Sequence, residues 1–327
     1  QDAYDTRYAE INVACEACHG PGARHVEWAK LEKAGQSEAT AATDAAGRGL
    51  LVDLTDRDGG IWRIDPDSGK PERSIPRSPQ GGPYAQTETC ARCHSRRGRI
   101  WDELVPGAPL HQGFRLALLE PALYFADGQI KDEVFVHGSF MQSRMYHQGV
   151  VCGDCHEPHS LSLLAEGNAV CARCHIAVRY DTPEHHHHQP DSPGAACVAC
   201  HMPQRFYMVV DERADHSLRV PRPDLSQALG TPNACSQGGC HDDRPLSWSV
   251  DAFTKWYGQA KKPHYGPTLA AGREGRPEAH DELVRLAGDE LYPAIVRATA
   301  LSLLGRYPGE KSTRAFAVAL ADPEPLM

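Results

Sequence analysis

Aromatic side chains, long apolar runs and spare cysteines are all scarce in this chain of 327 residues. Aromatics make up 7% and the mean hydropathy is −0.49, too little for an ordinary side-chain core across the whole length. The 29 glycines and 25 prolines point to loops rather than regular layers. No stretch reaches the roughly 18 apolar residues of a membrane span, so none is expected. Positive charge is short as well: the formal charge of −9 argues against nucleic acid as a partner. A leader is missing before Gln1, and the sequence reads as a mature exported form from which a signal peptide has been removed.

None of the twelve cysteines stands outside a motif. Five pairs read Cys-x-x-Cys-His: Cys15, Cys18 and His19; Cys90, Cys93 and His94; Cys152, Cys155 and His156; Cys171, Cys174 and His175; Cys197, Cys200 and His201. A sixth, Cys235-Ser-Gln-Gly-Gly-Cys240-His241, has a four-residue gap. The chemistry this spacing serves is covalent haem attachment. Two thiols bond the two vinyl groups of one porphyrin, and the next residue, a histidine, lies beneath the iron as its proximal ligand. Zinc also uses Cys-x-x-Cys pairs but makes no demand for histidine directly after the second cysteine. Six disulfides would leave the six histidines unexplained. The expected cofactor set is therefore six covalently bound haem c groups, whose porphyrins replace the missing side-chain core.

Six proximal histidines leave twelve of the eighteen for other roles. Candidates for the distal position are His25, His111, His147, His159 and His216, with one ring from the run His185-His-His-His188. Within that run His187 or His188 is favoured, and His188 is taken. His159 lies three residues beyond His156 and cannot wrap to the far face of the same haem, so it should bind a neighbouring one; the same reasoning applies more weakly to His25 and His19. Two histidines on one iron give a low-spin, low-potential carrier with no position left for substrate. His137, His264 and His280 read as structural. Met141, Met145, Met202 and Met208 read as core filler rather than axial ligands.

Two domains are expected: a six-haem cytochrome c domain over residues 1–245, and an α-helical region resembling HEAT or TPR repeats over 246–327. The fold class expected is mainly α with much irregular structure, a few short β-hairpins and a C-terminal helical repeat. Residues 26–34 should be helical. The stretch 35–86, free of cysteine and histidine, should hold a hairpin around Asp65-Pro-Asp-Ser-Gly69 and cover neighbouring haems, with partner docking as the alternative role. A second hairpin is expected from Ala122–Phe125 and Glu133–Val136 around Asp127-Gly128, then a short helix over Gly138–His147. In the tail, apolar spacing marks helices at Leu246–Tyr257 with Gly258 as the stop, at Leu283–Ala287, at Leu291–Leu304 and at Thr313–Leu320. Leu286-Ala-Gly-Asp289-Glu290-Leu291 recurs as Leu320-Ala-Asp322-Pro-Glu-Pro-Leu326, a helix-pair repeat whose second unit only begins here, so the expectation is either a chain cut short or an array completed by another copy or a partner.

The stretch Gly138–Ser160 carries a resemblance. Together with Cys15–Gly22, Cys197–Pro203, Asp215–Leu225 and Gly230–Cys235, it resembles the multihaem cytochromes related to hydroxylamine oxidoreductase and the ammonia-forming nitrite reductases, above all members with a C-terminal helical array. The resemblance implies close haem pairs with mostly bis-histidine ligation. It differs from the nitrite reductases in having no Cys-x-x-Cys-Lys site, and nothing marks Tyr180 or Tyr207 as the cross-linked tyrosine of hydroxylamine oxidoreductase. The expected function is electron transfer through a chain of closely spaced haems in the periplasm or outside the cell. Redox proteins are the expected partners, with self-association into a homo-oligomer or filament as an extension. The alternatives are an oxidoreductase acting on a nitrogen or sulfur oxyanion at one five-coordinate haem, with the stretched sixth site as the one that differs, and a scaffold whose repeats hold an enzyme.

Overall fold

The computed structural model describes residues 7–8, 12–35, 48–75, 84–207, 209–259 and 262–327. Met208 and part of the 35–86 stretch lie outside them. The chain is mainly helical, and the described residues form four two-stranded antiparallel sheets joined by long irregular connections. No helix among the described residues is long and apolar enough to cross a membrane.

A single hydrophobic core organises the second half of the molecule. The helices Gly266–Arg273, Ala279–Gly288, Ala294–Leu304 and Glu310–Ala319 follow one another down the tail. Ala294–Leu304 is their centre: Ile295, Val296, Ala300 and Leu304 are wholly buried. Burying Ile295, Val296 or Leu304 stabilises by about 1.5–3 kcal/mol each. Arg297 on the same helix is buried too, donating to the Ala287 carbonyl at 3.1 Å and to Asp322 at 2.6 Å. The core does not stop at residue 246. Leu110, Phe114, Leu116, Leu119, Tyr124, Ile130 and Val134 belong to the same cluster. Thr299 accepts from the Leu119 amide, and Arg273 donates to the carbonyls of Leu119 and Tyr124.

Local signals explain most element ends. Gly258, at φ 76°, ends Leu246–Tyr257. The helix Gly266–Arg273 escaped the periodicity because it is only eight residues long. Leu291 and Leu320 were expected on apolar helix faces; they lie outside the helices and are 93% and 90% exposed. Pro293 caps Ala294–Leu304 and leaves Leu291 in the preceding turn.

Upstream, Ala23–Lys33 forms a helix, and Trp62–Ile64 pairs with Pro71–Arg73 across the Asp65–Gly69 turn. The Asp65 carboxylate accepts from the amides of Asp67 and Ser68 inside that turn. The second expected hairpin forms differently. Tyr124 bridges Ile130 across the Asp127-Gly128 turn, but the arm after it pairs elsewhere, Phe135 with Ser95. The helix expected over Gly138–His147 is split in two, His137–Phe140 and Arg144–His147, because the Ser143 side chain takes the Tyr146 amide and starts a new helix.

The motif-bearing segments have a different texture. The helices Cys15–His19, Ala23–Lys33, Arg144–His147, Ala169–Ala172, Ala177–Tyr180, Pro183–His186 and Cys197–His201 contain no buried residue. Helices of four or five residues are unstable alone and hold only through packing. Side chains do not supply that packing here.

Candidate functional site: six motifs and their facing imidazoles

Each motif sets its histidine by a local turn. Cys15–His19 and Cys197–His201 are single helical turns, and the His175 amide bonds the Cys171 carbonyl at 2.9 Å. The stretched sixth motif reaches the same end: the His241 amide bonds the Cys235 carbonyl at 3.1 Å. Its two extra residues are absorbed where Gly238 and Gly239 take φ 65° and 74°, a conformation glycine adopts freely.

The motifs neighbour one another in chain order. Burial first, then the charges of Cys90, Cys93 and Cys15, push the Cys18 thiol up, so the first and second motifs adjoin. Cys90 meets Cys152 thiol to thiol. Burial and then Asp154 and Cys174 raise Cys155, joining the third motif to the fourth. Cys171 meets Cys197. Burial and then Cys235 and Cys240 raise Cys200, joining the fifth to the sixth. All twelve thiols are free of disulfides.

Four motif histidines each face a second imidazole. His19 faces His159 with ring centroids 6.3 Å apart and planes within 10°. His156 faces His216 at 6.4 Å and 22°. His201 faces His185 at 6.2 Å and 10°, and His241 faces His188 at 5.9 Å and 37°. Another close pair, His186 and His188 at 6.4 Å, consists of near neighbours within the run. Two imidazoles bound to one metal at about 2 Å each would hold their centroids roughly 6 Å apart.

The tautomers support the same arrangement. His159 Nδ1 lies 3.0 Å from the Glu157 carboxylate, His216 Nδ1 3.0 Å from the Ala214 carbonyl, His201 Nδ1 2.7 Å from the Arg219 carbonyl, and His188 Nδ1 2.5 Å from the His186 carbonyl. These oxygens only accept, so in the neutral ring Nδ1 carries the proton and Nε2 keeps its lone pair. One ring of every facing pair is fixed this way, as metal-ligating histidines commonly are. Burial, the larger cause, and neighbouring imidazoles also lower the pKa of His19, His156, His175 and His185; for His216 burial leads and the Ala214 carbonyl opposes it. A ligand imidazole must be neutral.

No family model, curated protein or solved structure matches this chain.

His94 and His175 face no imidazole among the described residues; the His175 ring meets the edge of Tyr180 at 5.8 Å. His25 lies near His19, stacks on Trp28 at 5.3 Å and has Nδ1 2.7 Å from the Arg48 carbonyl. His111 sits in the 3-10 turn Leu110–Gln112 beside the buried His137, and His147 ends the helix Arg144–His147 against Tyr146. The run His185–His188 contributes two facing rings where one was expected. Pro183 starts a one-turn helix there, and His187 turns left-handed at φ 59°, sending His185 and His188 to different partners. The aromatic face of Leu246–Tyr257 holds the run in place, with Trp256 stacked on His187 at 4.0 Å and Trp248 against His241 at 4.8 Å. Of the residues assigned to structure, His280 stacks on Tyr307 and reaches Ser312, and His264 accepts from the Gly266 amide.

The donor set fits haem. Among the described residues no three His, Cys, Asp or Glu side chains converge as a ready-made metal cage. Two facing imidazoles suit an iron whose other four ligands come from a porphyrin, and the adjoining thiol pair suits the porphyrin's vinyl groups. Cys15, Cys18, Cys90, Cys93, Cys152, Cys155, Cys171, Cys174, Cys197, Cys200, Cys235 and Cys240 would hold six such groups.

Proposed function

We propose that this chain is a six-haem c-type cytochrome that carries electrons along a row of sites ordered as in the sequence. The observation that carries the reading is the four facing imidazole pairs, each uniting a motif histidine with one from elsewhere in the chain. When bound, haem supplies reversible one-electron chemistry; the protein supplies ligation, spacing and burial. An axial position taken by a second histidine leaves no room for substrate, which favours a carrier over an enzyme. Its place is an exported one, periplasmic or extracellular, with redox proteins or further copies of the chain as partners. The motif resemblance to the hydroxylamine oxidoreductase and nitrite reductase group agrees with this reading.

Pyridine haemochrome quantitation with intact mass, followed by low-temperature electron paramagnetic resonance of the oxidised protein, tests it. Six covalent haems with predominantly low-spin signals are expected. A chain of expected apo mass after expression with haem-attachment machinery would overturn the reading. A second reading has one observation in its favour: among the described residues His94 and His175 lack a facing imidazole, so the second or fourth motif, rather than the sixth, would be the open site of an oxidoreductase. A high-spin signal that moves on adding nitrite or hydroxylamine would favour it.

A further inference from the structure

Two of the facing pairs share one support. The carbonyl that fixes His201 belongs to Arg219, and the carbonyl that fixes His216 belongs to Ala214. Both sit on one short segment, and that segment is pinned by a buried charged cluster. Asp215 and Asp127 are 2% and 3% exposed. The Arg219 guanidinium is largely buried between them, 3.6 Å from the Asp215 carboxylate and 4.0 Å from that of Asp127. It also donates to the Asp127 carbonyl at 3.2 Å and to Ser217 Oγ at 2.8 Å. Asp215 in turn accepts from the Ser217 amide at 2.8 Å and the Ile130 amide at 3.4 Å. Asp127 accepts from Thr231 and Gln129 at 2.9 and 2.8 Å, and its carbonyl takes the Tyr265 hydroxyl at 2.9 Å.

Stability alone does not account for such a cluster. Taking two carboxylates and a guanidinium out of water costs about as much as their attraction returns, and apolar residues of equal volume often do as well. Geometry accounts for it better. A planar fork reaches several acceptors in fixed directions, which a lysine would not. The segment is also strained: Leu218, between the two ligand-fixing carbonyls, takes φ 48°, a left-handed conformation that residues other than glycine rarely adopt. Strain of this kind persists only where the surroundings impose it.

We propose that the Asp127–Asp215–Arg219 cluster is a positioning device that sets the imidazoles of His201 and His216 together, coupling the ligand geometry of the third and fifth motifs. This rests on the reading that those rings are axial ligands. Neither Asp127 nor Arg219 touches the iron or the porphyrin thiols in this scheme; they act through the Ala214–Arg219 backbone.

The test uses the full haem-loaded chain with Arg219→Lys and Asp127→Asn, and Arg297→Lys as control on the unrelated buried pair with Asp322. Both cluster variants should retain six haems while two low-spin resonances move and two midpoint potentials shift. Arg297→Lys should lower the melting temperature and leave every resonance in place. Should Arg219→Lys fail to fold, Asp127→Asn carries the test, because the amide oxygen still accepts from Thr231. Six haems with all resonances and potentials unchanged in the folded variants would overturn the positioning role and leave the electron-carrier reading intact. Fewer than six haems in the unaltered chain would take down both.

Discussion

His137 offers a quantitative test of the junction that carries the third motif. It opens the helix His137–Phe140, is 5% exposed, and meets the edge of Tyr146 at 6.4 Å. Burial first, and the nearby His111 second, hold its pKa down at about 4. An unfolded histidine titrates near 6.5. The folded pKa is the lower one, so the unfolded chain binds the proton first as the pH falls. The stability that His137 contributes is complete above about 6.5 and is lost as the pH falls toward 4. The whole window is worth about 3 kcal/mol, and the part between pH 7 and 5 about 2 kcal/mol. His137→Leu keeps the volume and removes the titration. Guanidinium unfolding followed by far-ultraviolet circular dichroism at pH 7 and 5 should show the unaltered protein losing about 2 kcal/mol more than the variant over that interval. His264, also held near 4 by burial, titrates in both proteins and cancels. Equal losses would show that His137 is protonated in the folded state or exchanges freely with water, and the reasoning would fail.

Two further substitutions address ligation. His159→Ala should convert one haem in six from low to high spin, and proteolytic mapping should place it on Cys15 and Cys18, not on the adjacent Cys152 and Cys155; loss at the latter pair would contradict the facing of His19 and His159. Gly194→Ala should displace His188, since an added Cβ would overlap its ring. A cost of about 1–3 kcal/mol and a shift in a single low-spin resonance are expected, and an unchanged spectrum would argue against the His188–His241 pair.

Much of this arrangement is legible from residue order alone. The six cysteine motifs are legible as spacing alone, and the expectation that His159 meets a motif other than its own agrees with its facing His19. The turn Asp65–Gly69 is equally legible, since the Asp65 side chain closes it locally. What sequence could not supply is long-range. His185 looked like its neighbours in a run of four, and only the left-handed turn at His187 separates its direction from that of His188. The carbonyls of Arg219 and Ala214 carry no side-chain signature at all. The arm Glu133–Val136 has strand character but pairs beside the second motif, where Ser95 lies, rather than with its nearest neighbour. The apolar residues of 110–134 gave no hint that their partners lay on the tail helices, because periodicity reports a buried face and not what covers it.

That last point bears on how the molecule holds together. The tail helices and the 110–134 segment share a side-chain core. The segments bearing the first and fifth motifs have almost none, yet their histidines face imidazoles from elsewhere in the chain. Closing long loops costs entropy that grows slowly with length, so a few strong cross-links can fix a chain that buries little of itself. On the proposed reading each haem is such a link, joined covalently at two cysteines and, at the first, third, fifth and sixth motifs, through iron at two histidines. His159 ties the third motif's segment to the first, and His216 ties the segment before the sixth motif back to the third. Ligation that skips along the chain, laid over thiol contacts that follow it, makes a braced row. The same bonds that would tune each iron would therefore hold the spacing between irons, and a carrier built this way needs no larger apolar core than this sequence has.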